Sequence, residues 1–290
     1  MSTDLTWQTE SLSNVDVAVL SSCALGIADA VESLVHAIAE SGPGLDCRAL
    51  RDVGWEGNPE NAEGSTHLES AHKSTRTMCR AATDHLRAFS YGIRTGQTTV
   101  SNWTLARGAV ESFGTAHFML GTESPAELLG RYVALVLEET KYSRGQMFAY
   151  RYGDLIGVDD YRQGMKDLLS ERRIPLPVGA SPTAVARTVI DDAAPGSDGR
   201  LRYSHLSAVA HGQAPGVHMF MPNETGAIAS PRNLALDAAH IQIACAALVG
   251  DELVAYFAPE EGAQTLWRTR RDRVIGEALS HGGVHPPSAS

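Results

Sequence analysis

The chain is 290 residues long, enough for one large domain or two smaller ones with a sizeable core. With 43% hydrophobic and 20% charged residues, it belongs among soluble globular chains rather than disordered ones. Its formal net charge of -10 argues against a general nucleic-acid binder, whose phosphate contacts need a basic surface.

The N-terminus, MSTDLTWQTE, lacks the basic segment and apolar run of a signal peptide. A first helix is predicted over 14–41, with Asn14 as N-cap, apolar positions from Val15 to Ile38, and the stop Ser41-Gly42-Pro43. Residues 42–65 read as a long Gly/Pro/Asn-rich loop, and Trp55 in its middle suggests that part of it docks on the body. The spacing predicts a second long helix over 66–94, because Leu68, Thr75, Ala82 and Phe89 form one row and Ala71, Met78 and His85 the adjoining row. A third helix covers 98–120, on a stripe of Trp103, Ala106, Val110, Phe113, His117 and Leu120. Ser124-Pro125-Ala126-Glu127 opens a fourth with an N-cap, a first-turn proline and a capping-box glutamate. That helix is expected to run to about Tyr152.

From Gly153 to Gly199 the pattern is choppier, with short helices over 159–172 and from Ser181-Pro182 to near Asp192, separated by Pro175 and Pro177. YSHLSAVAHG, residues 203–212, reads as a helix stopping on Gly212, and GVHMFMP after it as extended chain. Residues 231–257 are apolar nearly all round, with Gly250 expected to bend or break the helix. Such a helix is either buried core or the face of a homodimer. A last amphipathic helix spans about 262–280, and the tail 281–290 reads as disordered. The expected class is therefore all-α: a multi-helix bundle over 66–280, continuous with the N-terminal helix of residues 1–41. Cys23, Cys79 and Cys245 fall in apolar helical patterns, and Cys47 makes no CxxC pair, which predicts a reduced, cytoplasmic protein. The most apolar run, 241–249, is too short to span a bilayer, so no membrane partner is expected.

Several polar residues interrupt these apolar faces. Arg107 and Glu111 are spaced i to i+4, either as a helix-surface ion pair or as buried groups facing a site. His117 lies within an apolar stripe, where a hydrogen-bonded core role competes with ligand binding, and Glu139 interrupts the fourth helix in the same way. Together with His85 they suggest a carboxylate–histidine metal site, yet these helices lack the Glu-x-x-His pairs that such sites use. Ser207 lies one turn before His211, and Tyr203 and His205 sit on the same helix. A hydroxyl and imidazole at i, i+4 on one helix rarely align as nucleophile and base, and no G-x-S-x-G elbow accompanies them. His67 and His72, beside the long loop, are expected to face solvent. No P-loop, dinucleotide-binding fingerprint or EF-hand appears, so the residues name no cofactor.

TLARGAVESFGTAHFML (104–120) and YSHLSAVAHG (203–212) resemble a group of bacterial helical proteins related to the HEPN superfamily, over roughly residues 66–257. In those proteins an early helix with arginine and glutamate is followed by a late helix with serine and histidine-glycine. The resemblance implies an all-α bundle in which Arg107, Glu111, Ser207 and His211 meet at one polar pocket that takes a small molecule or a partner. Catalytic HEPN ribonucleases carry an arginine a turn or two before that histidine; here those positions hold Ser204, His205 and Leu206, and the nearest preceding arginine is Arg202. Two alternatives therefore stand beside ligand binding. One is a toxin- or defence-type ribonuclease using His211 with Arg202 or His205. The other is a bundle enzyme, metal-dependent or cofactor-free, acting on a small metabolite through Glu111, His117, Glu139 and His211. His117, Glu139, Tyr203 and His205 are then candidate ligand-contacting residues.

Overall fold

The computed structural model describes residues 12–57, 66–95, 100–143, 145–149, 155–213 and 232–282. Among them are ten helices and one small hairpin, an all-α multi-helix bundle as expected. The helices are α1 (Asn14–Ser41), α2 (Arg48–Glu56), α3 (His67–Arg94), α4 (Val100–Leu120) and α5 (Pro125–Glu139), then α6 (Val158–Glu171), α7 (Pro182–Ala193), α8 (Gly199–Ala210), α9 (Arg232–Phe257) and α10 (Glu261–Gly282). The hairpin pairs β1 (Met147–Ala149) antiparallel with β2 (Leu155–Gly157).

α4 occupies the middle, against α3, α7, α8 and α9, while α1 packs on α3, α9 and α10. The rows read from sequence are the buried ones. Leu68, Thr75, Ala82 and Phe89 of α3 are at most 2% exposed, and Trp103, Ala106, Val110 and Phe113 of α4 join the same core. All four cysteines are free and buried, and burial pushes the Cys23, Cys79 and Cys245 thiols up to about 12. They act as small apolar side chains.

The N-cap of α1 is Ser13 rather than Asn14. Its Oγ accepts from Asp16 N–H at 3.1 Å while Asp16 Oδ2 accepts from Ser13 N–H at 2.8 Å, a reciprocal capping box. The same carboxylate accepts from Arg232 Nε and Nη2 at 2.9 and 2.7 Å and from His281 Nε2 at 2.8 Å. Asp16 thus joins the start of α1 to the start of α9 and the end of α10. The Arg232 bonds above all hold its carboxyl well below the usual carboxylate range.

Five local expectations are corrected. The 42–65 segment is not one loop, because Cys47 caps the nine-residue α2, which docks Ala49 and Asp52 against the body. Trp55 stays 45% exposed under the Arg172 guanidinium, 5.5 Å from its ring centroid. The fourth helix stops at Glu139 rather than near Tyr152, and the β1–β2 hairpin follows it. Glu127 does not close a capping box on Ser124; its Oε2 accepts from Glu123 N–H at 2.7 Å instead. Finally, α9 runs unbroken through Gly250, whose missing side chain is a packing feature, since a Cβ there would lie 2.1 Å from Trp267 Cζ2. The extended chain expected after Gly212 and the tail from 283 on lie outside the described residues, whereas residues 281 and 282, expected in that disordered tail, close α10 instead.

α1 and α9 are each long and apolar enough to cross a membrane by length and composition, so the short 241–249 run understated the signal. In the fold they are core helices, with 50% and 61% of their most apolar windows buried inside the bundle.

Candidate functional site

α4 and α8 bring two sequence-distant motifs together. α8 starts on Asp198, whose side chain accepts from Leu201 N–H at 2.8 Å, and packs Tyr203, Leu206 and Val209 inward. It ends in a Schellman motif: Gly212 N–H donates to Val209 O and Gln213 N–H to Ala208 O, both at 2.9 Å. Gly212 sits at φ +62°, in the left-handed region, which leaves His211 as the C-cap.

That cap position puts His211 over α4. Arg107 Nη1 lies 2.6 Å from His211 Nε2, and Arg107 Nε donates to Glu111 Oε1 at 2.7 Å. Tyr203 OH donates to the same Glu111 oxygen at 2.6 Å, and the Arg107 guanidinium lies 5.8 Å from the centroid of the Tyr203 ring. A guanidinium has only hydrogens to offer, so Nε2 of His211 is the acceptor. The ring is then the tautomer carrying its proton on Nδ1, and that N–H has no hydrogen-bond partner among the described residues. Burial and the Glu111 carboxylate both push the Tyr203 hydroxyl up, so it remains a donor. Burial alone would lower Arg107, but the bonds to Glu111 outweigh it and hold the guanidinium above its ordinary range.

The cluster has a buried end and an open end. Tyr203 is 2% exposed, Arg107 and Glu111 are about a fifth to a quarter exposed as side chains, and His211 is exposed. It is therefore a polar seam opening at the edge of the bundle rather than an internal pocket. Three cavities elsewhere, of about 410, 590 and 200 Å³, are lined by other residues.

The remaining candidates are placed apart. Ser207 is half-buried and its carbonyl accepts from His211 N–H at 3.0 Å. His205 and Arg202 turn toward α9, where Arg202 lies 3.4 Å from Asp237 and His205 acts on the same carboxylate. Arg202 is thus committed away from His211.

His117 is a structural bridge. Its Nδ1 lies 2.7 Å from Glu252 Oε1 and its Nε2 2.9 Å from Asp192 Oδ2, so one imidazole joins α4, α7 and α9. Burial would depress it, but the two carboxylates outweigh burial and hold His117 above its ordinary value, as an imidazolium donating from both nitrogens. Glu139 is exposed at the end of α5 and has no hydrogen-bond partner among the described residues. His85 packs against Gly108 of α4. The bundle-enzyme set Glu111, His117, Glu139 and His211 is therefore not gathered at one place. Among the described residues no group of three histidine, cysteine or carboxylate side chains is arranged to hold a metal ion.

Sequence reasoning missed Asp192 and Glu252 as the partners of His117. It also misplaced His67 and His72. His67 Nδ1 is bonded to Glu56 at 2.7 Å, and His72 is 7% exposed. The local signal for His72 was its register, one residue after the buried Ala71 on α3. Compared with protein-family models, curated proteins and solved structures, the chain gives no match.

Proposed function

We propose that the chain is a HEPN-like, cytoplasmic helical-bundle protein that binds a small anionic molecule at the Arg107–Glu111–Tyr203–His211 seam. The observation that carries this reading is the 2.6 Å contact from Arg107 Nη1 to His211 Nε2, across 104 residues of sequence. It leaves the His211 Nδ1–H without a hydrogen-bond partner among the described residues, beside the positive charge of Arg107. Donors grouped around a positive charge suit a carboxylate or phosphate oxygen. Glu111 and Tyr203 hold the guanidinium from behind and fix its plane, which lowers the ordering cost when a ligand arrives. Calorimetric titration of the full chain with citrate tests the reading. Saturable binding that Arg107→Ala and His211→Ala each remove is expected; citrate binding that survives both substitutions would sink it.

A second reading draws on the same distance. The late helix lacks the arginine of HEPN ribonucleases, and Arg107 supplies a guanidinium to His211 from α4 instead. An imidazole for proton transfer beside a cation for developing negative charge is a pair suited to phosphodiester cleavage. Arg107 then takes the role first considered for Arg202 or His205. Purified protein that leaves single-stranded and structured RNA intact, with His211→Ala no less toxic on expression, dismisses this reading. A homodimer that aligns two such seams would enlarge the anion-binding surface, and light scattering of the purified chain measures that directly.

A further inference from the structure

A second site lies away from this seam, where α2, α3 and the end of α9 enclose a cavity of about 410 Å³. Its volume falls within the range of small-molecule pockets. One wall is apolar, built from Leu50, Val53 and Phe257; the other is the polar face of α3, with Ser70, Lys73 and Arg76 above His72. Lys73 and Arg76 make no ion pair among the described residues, although acids outnumber basic residues in the chain by 34 to 24. Arg76 is half-buried, and burial with the neighbouring Arg80 pushes it down. Glu69 also lines the cavity, but its Oε2 accepts from Thr66 N–H at 2.7 Å in the cap of its own helix. Two adjacent cations with no ion-pair partner among the described residues, one partly desolvated, make a place where an anion is favoured.

The floor narrows the choice of anion. His72 is 7% exposed and lies edge-on to Tyr256 and Phe257. Its Nε2 is 3.0 Å from Tyr256 OH, and that hydroxyl donates to Asp52 Oδ2 at 2.5 Å. Tyr256 has a single proton and gives it to the carboxylate, so its oxygen accepts from Nε2–H. Nδ1 of His72 is left with a lone pair and no partner among the described residues. Desolvation holds His72 at about 4, so the ring is neutral in neutral solution. A ligand that satisfies every surface must bring negative charge for Lys73 and Arg76, a hydrogen for Nδ1 and an apolar body for the opposite wall. A carboxylate has no hydrogen to offer. Near pH 6, where its second ionisation falls, a phosphate monoester is about half in the form that carries P–O⁻ and P–OH together, while the His72 ring is still neutral.

We propose that this cavity binds a phosphate monoester with an apolar or aromatic body, its phosphoryl oxygens on Lys73 and Arg76 and its P–OH on His72 Nδ1. Phenyl phosphate is the probe, titrated into the full chain at about pH 6 and followed by calorimetry and by the phosphorus resonance. Saturable binding is expected, weakened about tenfold in Arg76→Gln and in Lys73→Gln, with benzoate and inorganic phosphate each about tenfold weaker than phenyl phosphate. Lys73 is exposed, so Lys73→Gln keeps the test valid if another variant misfolds. Phenyl phosphate that fails to saturate, or that binds both variants as it binds the wild type, overturns the proposal. Benzoate binding as tightly as phenyl phosphate overturns the role given to His72.

Discussion

The seam between α4 and α8 makes a quantitative claim about Glu111, one of whose oxygens accepts from both Arg107 and Tyr203. The perturbations are Tyr203→Phe, Glu111→Gln and the double variant. Tyr203→Phe deletes a hydroxyl that donates to a carboxylate from a ring only 2% exposed, a bond of a class worth about 1.5–3 kcal/mol. The Glu111 side chain is 24% exposed and keeps Arg107, so solvent and the guanidinium recover part of that loss. A net loss of about 1.5 kcal/mol is expected. Glu111→Gln keeps the shape but removes the charge, weakening both bonds; the half-screened ion pair adds only a few tenths, for about 1.5–2 kcal/mol in all. Because each single change damages the same bond, the double variant should lose about 1 kcal/mol less than the sum. Urea unfolding followed by circular dichroism measures the cycle. Losses that add to within about 0.3 kcal/mol would refute the shared-acceptor geometry. The pH dependence carries the same signature. The folded Tyr203 hydroxyl is raised above its ordinary 10.0, so its contribution is intact below pH 10.0 and is lost as pH climbs through the folded value. The stability gap between wild type and Tyr203→Phe should therefore narrow only above pH 10.0.

Gly250→Ala should destabilise, against the usual gain of about 1 kcal/mol for alanine over glycine inside a helix. The new Cβ would sit 2.1 and 2.2 Å from Trp267 Cζ2 and Cη2, on a ring tied down by Nε1–H to Asp251 at 2.8 Å, and overpacking of this kind costs about 1–3 kcal/mol. A higher melting temperature in the variant would contradict that packing. His117 is held above its ordinary 6.5, so its bridge is fully present below pH 6.5 and is lost as pH rises through the folded value. The stability difference between wild type and His117→Ala should accordingly shrink on the alkaline side, and a difference that grows there would rule out the imidazolium. Gly212→Ala places a side chain at φ +62° and should lose about 1 kcal/mol, with Gly212→Asn losing less, as read from paired thermal melts.

Much of the fold was legible because its helices carry long, periodic faces. The α3 and α4 stripes needed only the 3.6-residue period to declare their buried sides. α2 was not legible, since it is nine residues long, buries little besides Ala49 and Asp52, and opens on a cysteine cap. The stop of α5 was hidden for a different reason. Residues after Glu139 can continue a helix by propensity, yet the chain turns at Thr140 and Lys141 pairs back with Glu138. Gly250 shows the limit of reading a residue alone, because what it makes room for is Trp267 on the next helix.

The seam divides along the same line. Arg107 with Glu111, and His211 with Gly212, are local patterns that a helix face and a left-handed cap explain, so each half could be found from its own stretch. Which polar groups face each other depends on how α8 leans on α4, and that is decided by Tyr203, Leu206 and Val209 packing inward. The partners of His117 lie 75 and 135 residues away on helices where a single carboxylate looks like solvated surface. The same consideration separates His117 from His211, although both are histidines near the arginine helix. His117 is closed on both nitrogens by carboxylates and so behaves as a strut. His211 is held on one nitrogen by a cation and has no partner for the other among the described residues, and it is on that difference that binding is proposed there.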